Sequence, residues 1–347
     1  MTNNLQYFLN RELDVAAVGS FLTKTFTIYV VACHTPKKMR HFANLLLVGI
    51  LWNFIGNLLF TVAHPIPLFP AQCFRLDGAL SAYVDSEAAG HFCVKFAVFT
   101  ILNMGLAIFF SFQFRYMELV HSHRFSHIHP AWGYVYCLVA YVSFSACYMF
   151  IYDKWTIPLA EYPDLNQIEH EERLFCYKPR GGTKQLAIGS IFGFVFVQVL
   201  LGAFFSIRSF RHLNRKHPGM HDNTILLQKR LLRSLLYLTS IPIVVGGLPA
   251  GILFACLYFN EMNEARLMFS ICMVILLNHG SVYSATTLLV FKKYRNAARK
   301  IVVDVVRKLT ELRKRIGRKC DAQVASNVEI AKFGSVHAFC ACGSNSV

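Results

Sequence analysis

The sequence is poor in charge, and acidic side chains are the scarcer kind. Only 16% of its 347 residues are charged, and 19 aspartates and glutamates stand against 35 lysines and arginines. Soluble domains average about 25% charged residues. A deficit of this size is typical of a chain whose surface faces lipid, and it argues against a water-soluble fold.

Several signatures of chemistry are also missing. We find no phosphate-binding loop, no nucleophile elbow and no paired carboxylates inside the apolar stretches. The clusters at 121–129 and 217–221 each contain two histidines four residues apart, a spacing that suits metal binding on a helix. However, no two histidines are adjacent, and Pro218 breaks helix geometry in the second cluster. We therefore predict loop histidines, with no metal, no cofactor and no catalytic residue. A histidine-metal lipid-modifying enzyme remains a minor alternative.

What the chain does have is seven long apolar stretches. Each is about as long as the 20 residues that a helix needs to cross a bilayer core. Inside lipid every backbone polar group must be paired within the chain, which favours helices. The sequence therefore predicts an all-α membrane protein, a bundle of seven transmembrane helices. The stretches are Val15–Cys33, Phe42–Ala63, Ala88–Phe112, Trp132–Tyr152, Leu186–Ile207, Leu235–Phe259 and Leu267–Phe291.

The basic residues give the stretches a direction. Of the 35 lysines and arginines, 25 fall in four segments, which are 34–41, 113–131, 208–234 and 292–347. Positive residues are retained on the cytoplasmic side, so these segments are predicted inside and the N-terminus outside. Because the positive residues are concentrated on one side, we attribute the net charge to contact with the membrane surface rather than with nucleic acid. Residues 1–14 then form an extracellular N-terminus and 15–291 the transmembrane domain. No signal-peptide pattern opens the chain, so we expect the first crossing to serve as its own signal.

The C-terminal region is predicted to lie on the inner leaflet. Apolar residues at helical spacing, flanked by lysines and arginines, indicate a basic amphipathic surface helix over 292–319. Residues 320–347 are expected to be a disordered cytoplasmic tail. Three cysteines there, Cys320, Cys340 and Cys342, are candidates for palmitoylation, although free thiols fit equally well.

Polar residues inside the apolar stretches are the candidates for internal contacts. Lys24 and Lys95 should face the bundle interior or a partner, since a lysine at a helix centre costs about 2.5–3.5 kcal/mol on insertion scales. Lys95 is close enough to the outer end to reach water or to pair with Asp85 or Glu87. Other polar groups are expected to hydrogen-bond between helices. They are Asn53, Asn57, Ser240, Asn278, His279, Ser281 and Ser284.

Short motifs at the ends of four stretches resemble the nematode serpentine chemoreceptors, in particular the group of class H, class I and class Str. They are Thr35-Pro-Lys-Lys-Met-Arg40, His64-Pro-Ile-Pro-Leu-Phe-Pro70 with Gly78, Phe114-Arg-Tyr116 and Lys293-Tyr-Arg295. The resemblance implies a G-protein-coupled receptor of the plasma membrane that binds an external small molecule, with the sensory cilium of chemosensory neurons as an expected location. The sequence departs from the broader rhodopsin-like pattern, because Phe114 stands where an acid would precede the arginine and Asn278-His279 replaces Asn-Pro.

The resemblance also gives expected sites. Lys95, Asn103 and the loop over 153–185 are predicted for an outer ligand pocket. A surface for a heterotrimeric G protein is predicted at the inner ends, from Arg115, Tyr116, Arg208, Arg211, Arg230 and Arg233.

Three cysteines fall on or near the outer side, which allows one disulfide. Our preferred pairing is Cys93–Cys176, which would join the third helix to the loop over 153–185, and the alternative is Cys73–Cys176.

A polytopic transporter remains the main alternative function. It requires ionisable groups or broken helices along a path, and only the Pro- and Gly-rich sixth stretch suggests one.

Overall fold

The computed structural model describes residues 2–36, 39–83, 86–121, 129–163, 174–214, 222–259, 261–262 and 264–315. Within these ranges, seven helices are long and apolar enough to cross a membrane, which confirms the predicted seven-helix bundle. The helices are α1 Thr2–His34, α2 Arg40–Ala63, α3 Glu87–Val120, α4 Pro130–Trp155, α5 Gly182–Asn214, α6 in three consecutive segments (Asp222–Ile241, the π-helical Pro242–Gly247, and Leu248–Tyr258), and α7 Ala265–Val290.

The bundle exposes many large apolar side chains. Leu138, Val142 and Phe150 on α4 and Phe196 on α5 are each at least 60% exposed. Such exposure would be unfavourable in water, but lipid chains solvate these groups well. Polar side chains, in contrast, are buried between the helices, so the bundle has the polarity expected of a membrane protein. Helix α1 begins at Thr2, well before its apolar stretch at Val15.

A small antiparallel sheet lies at the end of the bundle that is predicted to face outward. Its strands are β1 Pro65–Pro67, β2 Cys73–Leu76, β3 Thr156–Ile157 and β4 Leu174–Tyr177, in the order β1-β2-β4-β3. The apolar face of the sheet packs on α7, where the ring of Phe74 lies 6.1 Å from that of Phe269. The proline-rich segment that connects α2 to α3 therefore forms a pair of strands.

The disulfide of this sheet corrects our preferred pairing. Cys73 and Cys176 are directly opposite in the register of β2 and β4, and the two are bonded. Cys93 is a free thiol buried in α3. The pairing Cys93–Cys176 was therefore wrong, and the alternative Cys73–Cys176 is the one formed. The reason is strand pairing, which brings two cysteines 103 positions apart into neighbouring strands.

His64 lies where α2 ends and the sheet begins. Its backbone is left-handed (φ 42°) and its N–H donates to the carbonyl of Phe60, which closes the last turn of α2. Burial lowers the pKa of His64, an effect that Asp14, 3.8 Å away, partly opposes. A neutral imidazole therefore suits this buried position.

The chain divides into two compact units, Met1–Tyr294 and Arg295–Val347. A helix over 292–315, which we call α8, supplies all the described residues of the second unit. There, Val302, Val305, Leu309 and Leu312 are each about half exposed and recur at helical spacing. The helical part of the C-terminal prediction therefore has a structural counterpart. Its membrane contact stays a prediction, and the proposed disordered tail and Cys320, Cys340 and Cys342 lie outside the described residues.

Candidate functional site

A cavity of about 330 Å³ lies inside the bundle, among α2, α3, α5, α6 and α7. Ligand-binding pockets typically measure about 300–1,000 Å³, so this volume suits a small molecule. Most of its wall is apolar, from residues such as Met104, Phe112 and Phe254. Five of the seven apolar stretches thus enclose a cavity as well as crossing the membrane.

Three polar atoms at the wall of this cavity have no hydrogen-bond partner within the described residues. They are Oδ1 of Asn53 on α2, and Nε2 of Gln198 and Oγ of Ser206, both on α5. Asn53 and Ser206 are more than nine-tenths buried. Buried polar groups are normally paired, so unpaired ones around a cavity point to a bound molecule that completes them. Glycine also allows Gln198 to pack close to α3: a Cβ at Gly105 would be 3.3 Å from its Cδ.

Asn53 connects the cavity to a polar cluster shared by α1, α2 and α7. Its Nδ2 lies 3.2 Å from Nε2 of His279, and its backbone carbonyl accepts from Nζ of Lys24 at 3.4 Å. The neighbouring Asn57 donates to Ser20 Oγ at 3.1 Å and to the Leu277 carbonyl at 2.6 Å. These bonds confirm the predicted interhelical role of Asn53, Asn57 and His279. They make one network of three helices that borders the cavity.

The same region is packed around glycines. A Cβ at Gly280 would lie 2.6 Å from Cγ of Asn53, and one at Gly246 would lie 3.0 Å from Cδ2 of His279. Gly246 belongs to the π-helical segment of α6, whose wider turn follows Pro242. The Pro- and Gly-rich sixth stretch therefore yields a local widening of α6 directly against His279.

Lys24 is a testable anomaly, because it is fully buried and its one described bond is the long contact to a carbonyl. No described acid lies within ion-pair distance of it. We expect Lys24→Met to raise the stability of the purified protein by about 2 kcal/mol, measured as a higher melting temperature in detergent, since an amine without an ion-pair partner leaves the interior. Lys95→Met, which strips Asp153 of its partner, serves as the control and should bring no gain. A lower melting temperature for Lys24→Met would contradict the expectation.

The two residues predicted for the outer pocket do not line this cavity. Lys95 forms an ion pair with Asp153 at 2.5 Å and lies 5.8 Å above the ring of Tyr152. Its described partner is thus Asp153 rather than Glu87, and Asp85 lies outside the described residues. Asn103 lines a smaller cavity of about 70 Å³ between α3, α4 and α5, where it donates to Ser145 Oγ at 3.3 Å. A ligand role for either residue stays a prediction.

At the opposite end of the bundle, Arg115 is buried and bonded to Glu118 at 2.7 Å. The acid missing from the position before the arginine is therefore supplied three residues after it, one helical turn along α3. Tyr116 packs on Phe205 of α5, with ring centroids 5.3 Å apart.

The other four predicted arginines surround the same end. Leu119, Leu213 and Leu232 form an apolar cluster that joins α3, α5 and α6. The exposed Arg208, Arg211, Arg230 and Arg233 flank this cluster on α5 and α6. The structure thus gathers the six predicted inner-surface residues at one end of the bundle.

Sequence reasoning missed Gln198 and Ser206. A lone glutamine in the otherwise apolar stretch of α5 was the available signal. Of the polar groups that were named, Ser240 and Asn278 bond only within their own helices among the described contacts. The histidine pairs of 121–129 and 217–221 lie mainly or wholly outside the described residues. No metal-binding cluster occurs among the residues that the structure does describe.

Comparison with known proteins agrees with this architecture. Residues 5–304 match the family described as serpentine type 7TM GPCR chemoreceptor Srh, the nematode class H. No curated protein matches the chain. The matched region covers all seven membrane-spanning helices and the outer sheet, which is far more than the four short motifs. The chain therefore belongs to the Srh family of serpentine seven-transmembrane chemoreceptors.

Proposed function

We propose that this receptor binds an external small molecule in the cavity and activates a heterotrimeric G protein. The observation that carries the proposal is the cavity of about 330 Å³ with unpaired polar atoms at its wall, inside a bundle of a chemoreceptor family. The family consists of receptors, which speaks against the enzyme alternative. We place the protein in the plasma membrane, in the sensory cilium of chemosensory neurons, with its N-terminus outside.

Signalling requires the ligand to favour one arrangement of the helices over another. A ligand can shift such a balance only by the difference between its affinities for the two arrangements. The π-helical segment of α6 lines the cavity and continues directly from the α6 segment that carries Arg230 and Arg233. A rearrangement of Gly246 against His279 would therefore move these arginines. We propose this segment as the element that couples the two ends.

The proposed partner surface is the basic one at the inner ends. Arg230 and Arg233 are three residues apart on α6, so they lie on one face, and both are exposed. Arg208 and Arg211 have the same spacing on α5. Their positive charge fits an acidic patch on a G protein, and Arg115 with Tyr116 would become accessible if α6 moved outward.

Charge reversal tests this surface. We expect Arg230→Glu with Arg233→Glu to lower basal G-protein signalling in cells by about tenfold or more, because like charges across an interface cost several kcal/mol. The measurement is nucleotide exchange or second-messenger output per receptor at the cell surface. Arg180→Glu, an equal reversal of an exposed arginine beside the outer sheet, should leave signalling unchanged.

Tags at both termini supply the surface count and test the orientation. An N-terminal tag should bind antibody on intact cells, and a C-terminal tag only after permeabilisation. If the N-terminal tag is inaccessible on intact cells, the proposed orientation fails.

The surface count also decides the charge-reversal test. If the receptor with Arg230→Glu and Arg233→Glu signals like the parent protein at equal surface density, the arginine surface is not the G-protein contact.

A further inference from the structure

The outer entrance to the bundle is covered. Strands β2 and β4 carry Phe74 and Phe175, which are at least 95% buried, and the disulfide joins these strands. The side-chain amide of Gln72 donates to the carbonyl of Leu257 on α6, which ties the sheet to the bundle. The apolar core continues from this sheet to Met273 and Leu276, which line the cavity. A molecule arriving from water would have to displace the packed sheet.

The wall between α5 and α6 is different. Phe192, Val195 and Val199 of α5 and Ile243 of α6 line the cavity, yet each is 38–44% exposed. In the membrane the surroundings of these helices are acyl chains rather than water. Side chains that border both the cavity and the lipid mark a thin side of the bundle. The easiest path into the cavity therefore runs sideways, through this wall.

The wall chemistry restricts what can bind. No aspartate, glutamate, lysine or arginine occurs among the described residues that line the cavity. A charged ligand would lose its hydration without gaining an opposite charge, which is strongly unfavourable. An uncharged apolar molecule with one hydrogen-bonding group suits the site. Two unpaired groups lie on α5, Nε2 of Gln198 and Oγ of Ser206. Nε2 of Gln198 can bond that group, because it lies within one helical turn of Val195 and Val199 in the thin wall.

We propose that the ligand is a small, uncharged, lipid-soluble molecule that enters from the bilayer between α5 and α6 and is anchored by the amide of Gln198. This inference rests on the proposed receptor function and adds the ligand class and the route.

The test uses full-length receptor in lipid nanodiscs and three eight-carbon photoreactive probes. Each carries a diazirine, and the head groups are an alcohol, a carboxylate and an ammonium. We expect the alcohol to label peptides that line the cavity, in competition with unlabelled octanol, and the charged probes to label them at least tenfold less. Equal labelling by a charged probe, or labelling confined to the outer sheet, overturns the proposal.

Substitutions on α5, with a control on α3, test the anchor and the route separately. Gln198→Leu should weaken labelling by about tenfold, the effect of losing one hydrogen bond to a buried group. Gln113→Leu, which loses a surface contact to Tyr136, is the control. The route is tested by the rate of labelling, measured with flashes at set times after mixing. Val195→Trp should slow labelling by about tenfold or more, because the larger ring fills the wall, whereas Val197→Trp should not. Val197 is also exposed on α5 but does not line the cavity. Equal rates for the two tryptophan variants overturn the lateral route.

Basal signalling separates this inference from the proposed function. Receptor that signals but is not labelled in the cavity by the alcohol keeps the G-protein function and loses the ligand class. Receptor that is labelled as expected but fails to activate a G protein keeps the binding site and loses the proposed coupling.

Discussion

Gly280→Ala should destabilise the receptor by about 1–3 kcal/mol, the range of overpacking a tight core. A Cβ at this position of α7 would lie 2.6 Å from Cγ of Asn53, too close for any stable contact. Asn53 cannot retreat easily, because its amide bonds to His279 and its backbone belongs to α2. The measurement is the melting temperature of the purified protein together with its surface density in cells. Both should fall.

A matched glycine provides the control. Gly193→Ala on α5 adds the same methyl group where nothing lies within 4 Å, so stability should be unchanged or slightly higher. Adding Asn53→Ala to Gly280→Ala removes the clash and should recover part of the loss. The two substitutions would then be non-additive, as expected of residues in contact. If Gly280→Ala is as stable as the Gly193 variant, α2 and α7 are not packed as described.

Removing the disulfide should have the largest effect on stability. Cys73 and Cys176 close a loop of about 100 residues, for which the chain-entropy estimate is about 4.7 kcal/mol, and losses of about 2–5 kcal/mol are usual. Cys176→Ser should therefore lower the melting temperature and the surface density more than any other single change proposed. The sheet should also pack less firmly on α6 and α7, because the disulfide joins its two central strands, β2 and β4.

The buried free cysteine of α3 is the control. Cys93→Ala leaves the bond intact and removes only one sulfur atom from the core. Its effect should be smaller than that of Cys176→Ser. Peptide mapping without reduction should find the peptides of Cys73 and Cys176 linked. A linked pair of Cys93 and Cys176 would restore the original prediction and contradict the strand register.

Hydropathy was sufficient for the helices because the lipid environment leaves the backbone few alternatives. An apolar run of about 20 residues becomes a helix whatever its neighbours do, since unpaired backbone groups find no water. Helix ends were less accessible: α1 starts at Thr2, where the polar residues gave no apolar signal. The interhelical role of Asn53, Asn57 and His279 was predictable for a similar reason, because polar groups in lipid need partners inside the bundle.

Contacts between distant positions were not predictable from local pattern. Lys95 pairs with Asp153, which lies 58 residues away on α4, although two acids were closer along the chain. The pair of Arg115 and Glu118 differs, because the two residues are three apart on one helix and helical spacing alone predicts their contact. The sequence could not show that Nε2 of Gln198 is unpaired, because this depends on how Gln198 packs against Gly105 of α3.

The sequence by itself determined that this chain crosses a membrane seven times and belongs with serpentine receptors, because hydropathy and short loop motifs act locally. The tertiary structure alone decided which cysteines bond, which side chains face the cavity and where the bundle wall is thin. Those features depend on the register of strands and the rotation of each helix about its axis. A few degrees of rotation move a residue from lipid to cavity without any change in composition, so only the packed structure reveals them.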